Sequence, residues 1–79
     1  MDIKILGAGC AKCSSLEKSV KSALEELNMP TPVEKVDDIQ KIISYGIMMT
    51  PALVIDGKVV VKGNVPSVKE LKEIILKNQ

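Results

Sequence analysis

Cys10 and Cys13, the two cysteines of this chain, stand between a short β-type run and the start of a helical stripe. That arrangement restricts the fold more than any other feature of the sequence. Ile3-Lys4-Ile5-Leu6 reads as a strand and Gly7 stops it. From Ala11 to about Leu27, the residues Cys13, Leu16, Val20, Ala23, Leu24 and Leu27 recur at helical spacing and form one apolar face. Glu17 and Lys21 make a favourable pair one turn apart on this helix. The two thiols therefore sit where a strand hands over to a helix N-terminus. The free N–H groups and the macrodipole at such a place favour an anion by up to ~2 kcal/mol in a partly buried setting, and the thiolate is the reactive form of cysteine. Cys13 continues the apolar face and is expected to be buried. Cys10, at or just before the first helical residue, is expected to face solvent, with its pKa drawn below the ordinary thiol value. Helical residues three apart hold their Cβ atoms about 5–6 Å from one another, and a disulfide needs about 3.5–4.5 Å. A residue at a helix cap has the freedom to close that gap.

The rest of the chain alternates strand and helix. Asn28, Pro30 and Pro32 end the first helix. Val33-Glu34-Lys35-Val36 is a second strand, and a connection this short between them implies a right-handed crossover and parallel pairing. Asp37 can cap a short second helix with Ile39, Ile42 and Ile43 on its inner face and Gly46 at its end. Thr50-Pro51 precedes a strand, and proline fits the first residue of a strand because it cannot donate to the sheet. Ala52–Ile55 and Val59–Val61 flank Asp56-Gly57-Lys58, a strong hairpin signal. Ser67 with Glu70 forms a capping box for a last helix carrying Val68, Leu71, Ile74 and Ile75 inward. The predicted order is β-α-β-α-β-β-α: an α/β fold with a four-stranded mixed sheet and helices on both faces, residues 1–79 forming one domain.

Composition narrows the function. With 46% hydrophobic and 1% aromatic residues, Tyr45 being the one aromatic, the core must be aliphatic. All 11 basic residues are lysine, scattered along a chain of formal net charge +1. Without arginine the chain lacks the usual bidentate reader of phosphate and guanine, which argues against nucleic-acid binding. No apolar run has the length of a membrane span or the form of a signal peptide, so a cytoplasmic, membrane-free protein is expected. In that compartment a lone cysteine pair is more often catalytic or metal-binding than structural. A structural zinc site needs four ligands, and two thiolates with no histidine do not supply them.

Taken together, a strand, Cys-x-x-Cys opening a helix, a second strand and helix, Thr50-Pro51, a hairpin, Gly63 and a final helix resemble the shared core of thioredoxins and glutaredoxins. The likeness covers nearly the whole chain. Gly7-Ala8-Gly9-Cys10-Ala11-Lys12-Cys13 is similar to the Gly-x-Gly-Cys-Ala-x-Cys of small archaeal- and bacterial-type redox-active disulfide proteins. The resemblance implies a thioredoxin-like fold of glutaredoxin-type core. It implies a thiol–disulfide oxidoreductase cycling between a Cys10–Cys13 disulfide and a dithiol, with Cys10 attacking and Cys13 resolving. Gly9, Ala11 and Lys12 would support the pair. Pro51 would be cis and close to Cys10, the Thr50 backbone would pair with an extended substrate segment, and Gly63 would let that segment approach. Met48 and Met49 would edge the site. No metal or cofactor beyond the disulfide is implied. The partners would be protein disulfides and a reductase or low-molecular-weight thiol as electron donor, with the protein acting as a monomer. In place of the buried carboxylate that thioredoxins carry on the strand before the dithiol, this chain has Lys4, with Asp2 at the strand's start.

A second class also begins this way. Copper chaperones and heavy-metal-associated domains resemble the strand–Cys-x-x-Cys–helix opening, and in them Cys10 and Cys13 would be soft ligands for Cu(I). Their order is β-α-β-β-α-β, and they usually place methionine where this chain has Ala8.

Overall fold

A computed structural model describes residues 1–7 and 11–79. Seven elements follow one another: β1 (Ile3–Leu6), α1 (Ala11–Glu26), β2 (Val33–Val36), α2 (Ile39–Ser44), β3 (Ala52–Ile55), β4 (Lys58–Lys62) and α3 (Val68–Lys77). The strands form a mixed sheet in the order β2-β1-β3-β4. β1 pairs in parallel with β2 and antiparallel with β3, and β3 pairs antiparallel with β4. This is the predicted order, a thioredoxin-like α/β arrangement rather than the β-α-β-β-α-β of the metal carriers.

Period-two alternation divides the apolar residues of the central strands between two faces. Ile3 and Ile5 of β1 and Leu53 and Ile55 of β3 join Leu16, Val20, Ala23 and Leu24 of α1 and Leu71 and Ile75 of α3 in one core. Leu6 of β1 and Ala52 and Val54 of β3 point the other way, onto Val36, Ile42 and Ile47. All four residues of β3 are buried, as expected of a strand covered on both sides.

Local chemistry explains the element ends. Asn28 takes a positive φ of 55° where α1 stops, a conformation asparagine tolerates better than most residues. Asp56 and Gly57 both have positive φ, 51° and 81°, the requirement of a two-residue hairpin turn whose twist matches its strands. Lys58 consequently belongs to β4 and pairs with Ile55. The register slips between Leu53 and Val54, which face Val61 and Val59, so β4 carries a bulge at Val60. Ser67 Oγ accepts from the Glu70 N–H at 3.2 Å, and Glu70 Oε1 accepts from the Ser67 N–H at 3.2 Å, completing the capping box. The Glu17–Lys21 pair forms at 3.2 Å, and Glu17 also reaches Lys35 of β2 at 3.3 Å.

The second helix departs from expectation. Asp38, not Asp37, caps it, accepting from the Gln40 N–H at 2.9 Å. Only Ile42 turns inward; Ile39 and Ile43 are 70% and 62% exposed. At about 100° per residue, Ile39 and Ile43 lie roughly 60° and 100° around the helix from Ile42. A helix of six residues touches the sheet along one line only, and Ile42 occupies it. In α3, Leu71 and Ile75 are fully buried, while Val68 and Ile74 pack at the margin.

Candidate functional site

Sheet register brings distant parts of the chain to one end. Leu6 sits opposite Val36 on one side and Ala52 on the other, and Ala52 sits opposite Lys62. The residues immediately beyond this row therefore share the same edge: Gly7 after β1, Pro51 before β3 and Gly63 after β4. Two backbone hydrogen bonds extend the row past the strands. The Gly7 N–H donates to the Val36 carbonyl at 2.8 Å, and the Gly63 N–H donates to the Pro51 carbonyl at 2.7 Å. The Thr50–Pro51 peptide bond is cis. Pro51 is buried and Thr50 is exposed.

The first turn of α1 enters at this end. Cys13 is 4% exposed and is not a free thiol, as the apolar face of α1 predicts. Its Sγ and the Thr50 side chain meet at Gly7: a Cβ built on Gly7 would lie 3.0 Å from the sulfur and 2.9 Å from Thr50 Cβ. The buried cysteine and the prolyl loop are thus neighbours, separated by the Cα of a glycine. Ala11 and Lys12 lie exposed on the same turn. Cys10 and Gly9, assigned the attacking thiol and its support, lie outside the described residues.

The structure places the remaining candidates as follows. Gly63 has φ 78°, and the Met49 side chain covers it, with Met49 Cε 3.4 Å from where a Cβ would be. The approach expected over Gly63 is therefore lined by a methionine, itself 66% exposed. Met48 is 98% exposed. Together with Ile39, Ile43, Gly46, Ile47 and Thr50 it borders an open groove of about 580 Å³ on the α2 side. In the sequence Gly7 ends a strand and opens the Gly-x-Gly-Cys-Ala-x-Cys motif. Its position directly before the cysteine segment was the one available signal of a closer role.

Lys12 and Lys62 bring positive charge to this end. Lys4, one strand position before Ile5, forms an ion pair with Asp2 at 3.4 Å. Its pKa is raised, first by the hydrogen bond and charge of Asp2 and then by Tyr45. Lys4 is thus held as a cation near the start of β1, with the Asp2 carboxylate as its partner. Glu17, whose pKa is lowered chiefly by its hydrogen bond to Lys21, also lies away from the row. Among the described residues no cluster of three or more His, Cys, Asp or Glu side chains could hold a metal ion, and no helix is long and apolar enough to cross a membrane.

Comparison with known proteins identifies the family. Residues 1–76 match the family model described as "Thioredoxin domain". A protein named "Thioredoxin" from Methanothermobacter thermautotrophicus is 37% identical over 75 residues, covering 95% of this chain and 97% of that protein. Another of that name, from Methanocaldococcus jannaschii, is 39% identical over 71 residues, covering 90% of this chain and 81% of the relative.

Proposed function

This chain belongs to the thioredoxin domain family, with a function of the thiol–disulfide oxidoreductase type, and on that footing we propose that Cys10 and Cys13 carry its chemistry on protein disulfides. The Cys10 thiolate attacks one sulfur of a substrate disulfide. A Cys10–substrate bond forms, and the other substrate sulfur leaves as a thiolate that takes a proton from water. Cys13, its proton lost to water, then attacks Cys10. The Cys10–Cys13 bond forms, the second substrate thiolate departs, and the pair ends oxidised. A reductase, or a low-molecular-weight thiol through two successive exchanges, returns it to the reduced state. The electrons reside in the sulfur pair, so the cycle calls for no resident cofactor or metal.

The observation that carries this reading is the packing of the Cys13 sulfur against Gly7 beside Thr50, the residue before the cis proline. A buried sulfur next to an exposed loop suits a resolving role, shielded from outside reagents and adjacent to where a substrate segment would lie. Thr50 is exposed at the end of β3, so its backbone can accept an extended segment as an added strand. Met49 and Gly63 border that segment, and Ala11 and Lys12 present the first turn of α1 to it. The protein acts in the cytoplasm as a monomer in this reading.

The test is direct. Cys13→Ser is expected to accumulate a mixed disulfide between Cys10 and a protein substrate, visible by mass spectrometry under non-reducing conditions, whereas Cys10→Ser forms none. Full multiple-turnover reduction by Cys13→Ser would overturn the assigned roles. Cu(I) carriage, the other use of such a pair, would show as copper transfer between proteins without any reduction of disulfides.

A further inference from the structure

The chain turns at Gly7 with φ +112°, a backbone conformation side-chain-bearing L-residues rarely adopt. The space where any such residue would carry its Cβ is already taken. Thr50 Cβ lies 2.9 Å from that point, Cys13 Sγ 3.0 Å and Thr50 Cγ2 3.1 Å. None of these atoms yields easily. The sulfur belongs to a buried residue of α1, and the threonine Cβ is fixed to the backbone directly before buried Pro51. Gly7 itself is tied to β2 by its N–H bond to the Val36 carbonyl at 2.8 Å. Helix, loop and sheet therefore meet at one bare Cα.

We infer that Gly7 is a positioning residue for the second thiol step: its missing side chain is the spacer that sets the Cys13 sulfur beside the prolyl loop. This rests on the thiol–disulfide reading above. In that step the deprotonated Cys13 sulfur bonds to Cys10 while the Cys10–substrate bond breaks and the substrate leaves as a thiolate. A methyl group on residue 7 must displace the sulfur or the loop, and displacement of a reacting group by about 1 Å can cost on the order of a hundredfold in rate. The first step uses Cys10 alone and does not depend on where Cys13 lies.

Dithiodipyridine separates the two steps, because it releases one chromophoric thiopyridone when Cys10 attacks and a second when Cys13 resolves. Reduced Gly7→Ala is expected to release the first at the wild-type rate and the second at least about tenfold more slowly. The singly modified protein should be visible by mass spectrometry in between. A lower stability alone reduces both amplitudes together and leaves the ratio of the two rates unchanged. Wild-type rates for both releases from the folded variant would overturn the assignment. Should Gly7→Ala yield no folded protein, Gly7→Ala/Thr50→Gly removes both threonine contacts and keeps the one to sulfur. Its second release is then expected to lag behind that of Thr50→Gly alone. Equal rates, or a double variant that also fails to fold, would show that backbone geometry alone requires the glycine, and would sink the inference. Failure of the underlying reading has a different signature: Cys10→Ser would still release the first equivalent at the wild-type rate.

Discussion

The two faces of the sheet are built on different scales. One is covered by α1 and α3, whose buried residues interlock with Ile3, Ile5, Leu53 and Ile55. The other is covered by the six residues of α2 and the segment after it, and there Ile39, Ile43, Met48 and Met49 stay largely in solvent. The difference teaches that an apolar pattern reports burial only when the helix is long enough to present it to a wide surface. It also shows a division of labour. The thick face anchors the central strands, and the thin face leaves apolar side chains beside Thr50 at the proposed substrate edge.

Core truncation tests the contrast most severely. Leu53→Ala, on the thick face at a fully buried site, is expected to cost about 2–5 kcal/mol in denaturant unfolding. Stability of a domain this size is itself roughly 4–12 kcal/mol at the usual per-residue value, so this variant stands near the limit of folding. Ile42→Ala, the equivalent cut on the thin face, should fall at the lower end of that range. Equal losses from the two would erase the distinction between the faces. A smaller effect sharpens the same point: Ile43→Ser should change unfolding stability by no more than about 0.5 kcal/mol, the range for surface positions. A loss above about 1.5 kcal/mol would mean that Ile43 is buried in solution.

The smallest expected effect concerns the join between α1 and β2. Glu17 binds Lys21 and Lys35, and its pKa is lowered mainly by the Lys21 hydrogen bond. A lowered carboxylate pKa stabilises the fold at pH values above the ordinary carboxylate range, and that contribution disappears as pH falls through the folded-state value. The stability difference between wild type and Glu17→Gln should accordingly be present at neutral pH and close on acidification. A difference constant from pH 7 to well below the ordinary carboxylate pKa would show that Glu17 acts through packing.

Much of this architecture was legible in local chemistry. The stripe from Cys13 to Leu24, the Asp56-Gly57 turn and the Ser67–Glu70 box each carry their own physical reason, and each forms as read. Burial of Cys13 followed from its place on that stripe. The cis bond at Pro51 came from family likeness, because a Thr-Pro pair alone favours trans. What the sequence hid was non-local. Three isoleucines in α2 look like a core face until the helix length and the sheet beneath it decide which one reaches the core. The crowding at Gly7 involves residue 50, and no local pattern announces it. The methionine over Gly63 was hidden for the same reason.

The pairing of Leu6 with Ala52, and of Ala52 with Lys62, has a consequence for when this chain can work. A nascent or truncated polypeptide ending before the hairpin already holds both cysteines, yet lacks the sheet edge beside which Cys13 is buried. On the proposed chemistry, competence arrives with the late strands, and loss of the hairpin is expected to silence it even where α1 persists.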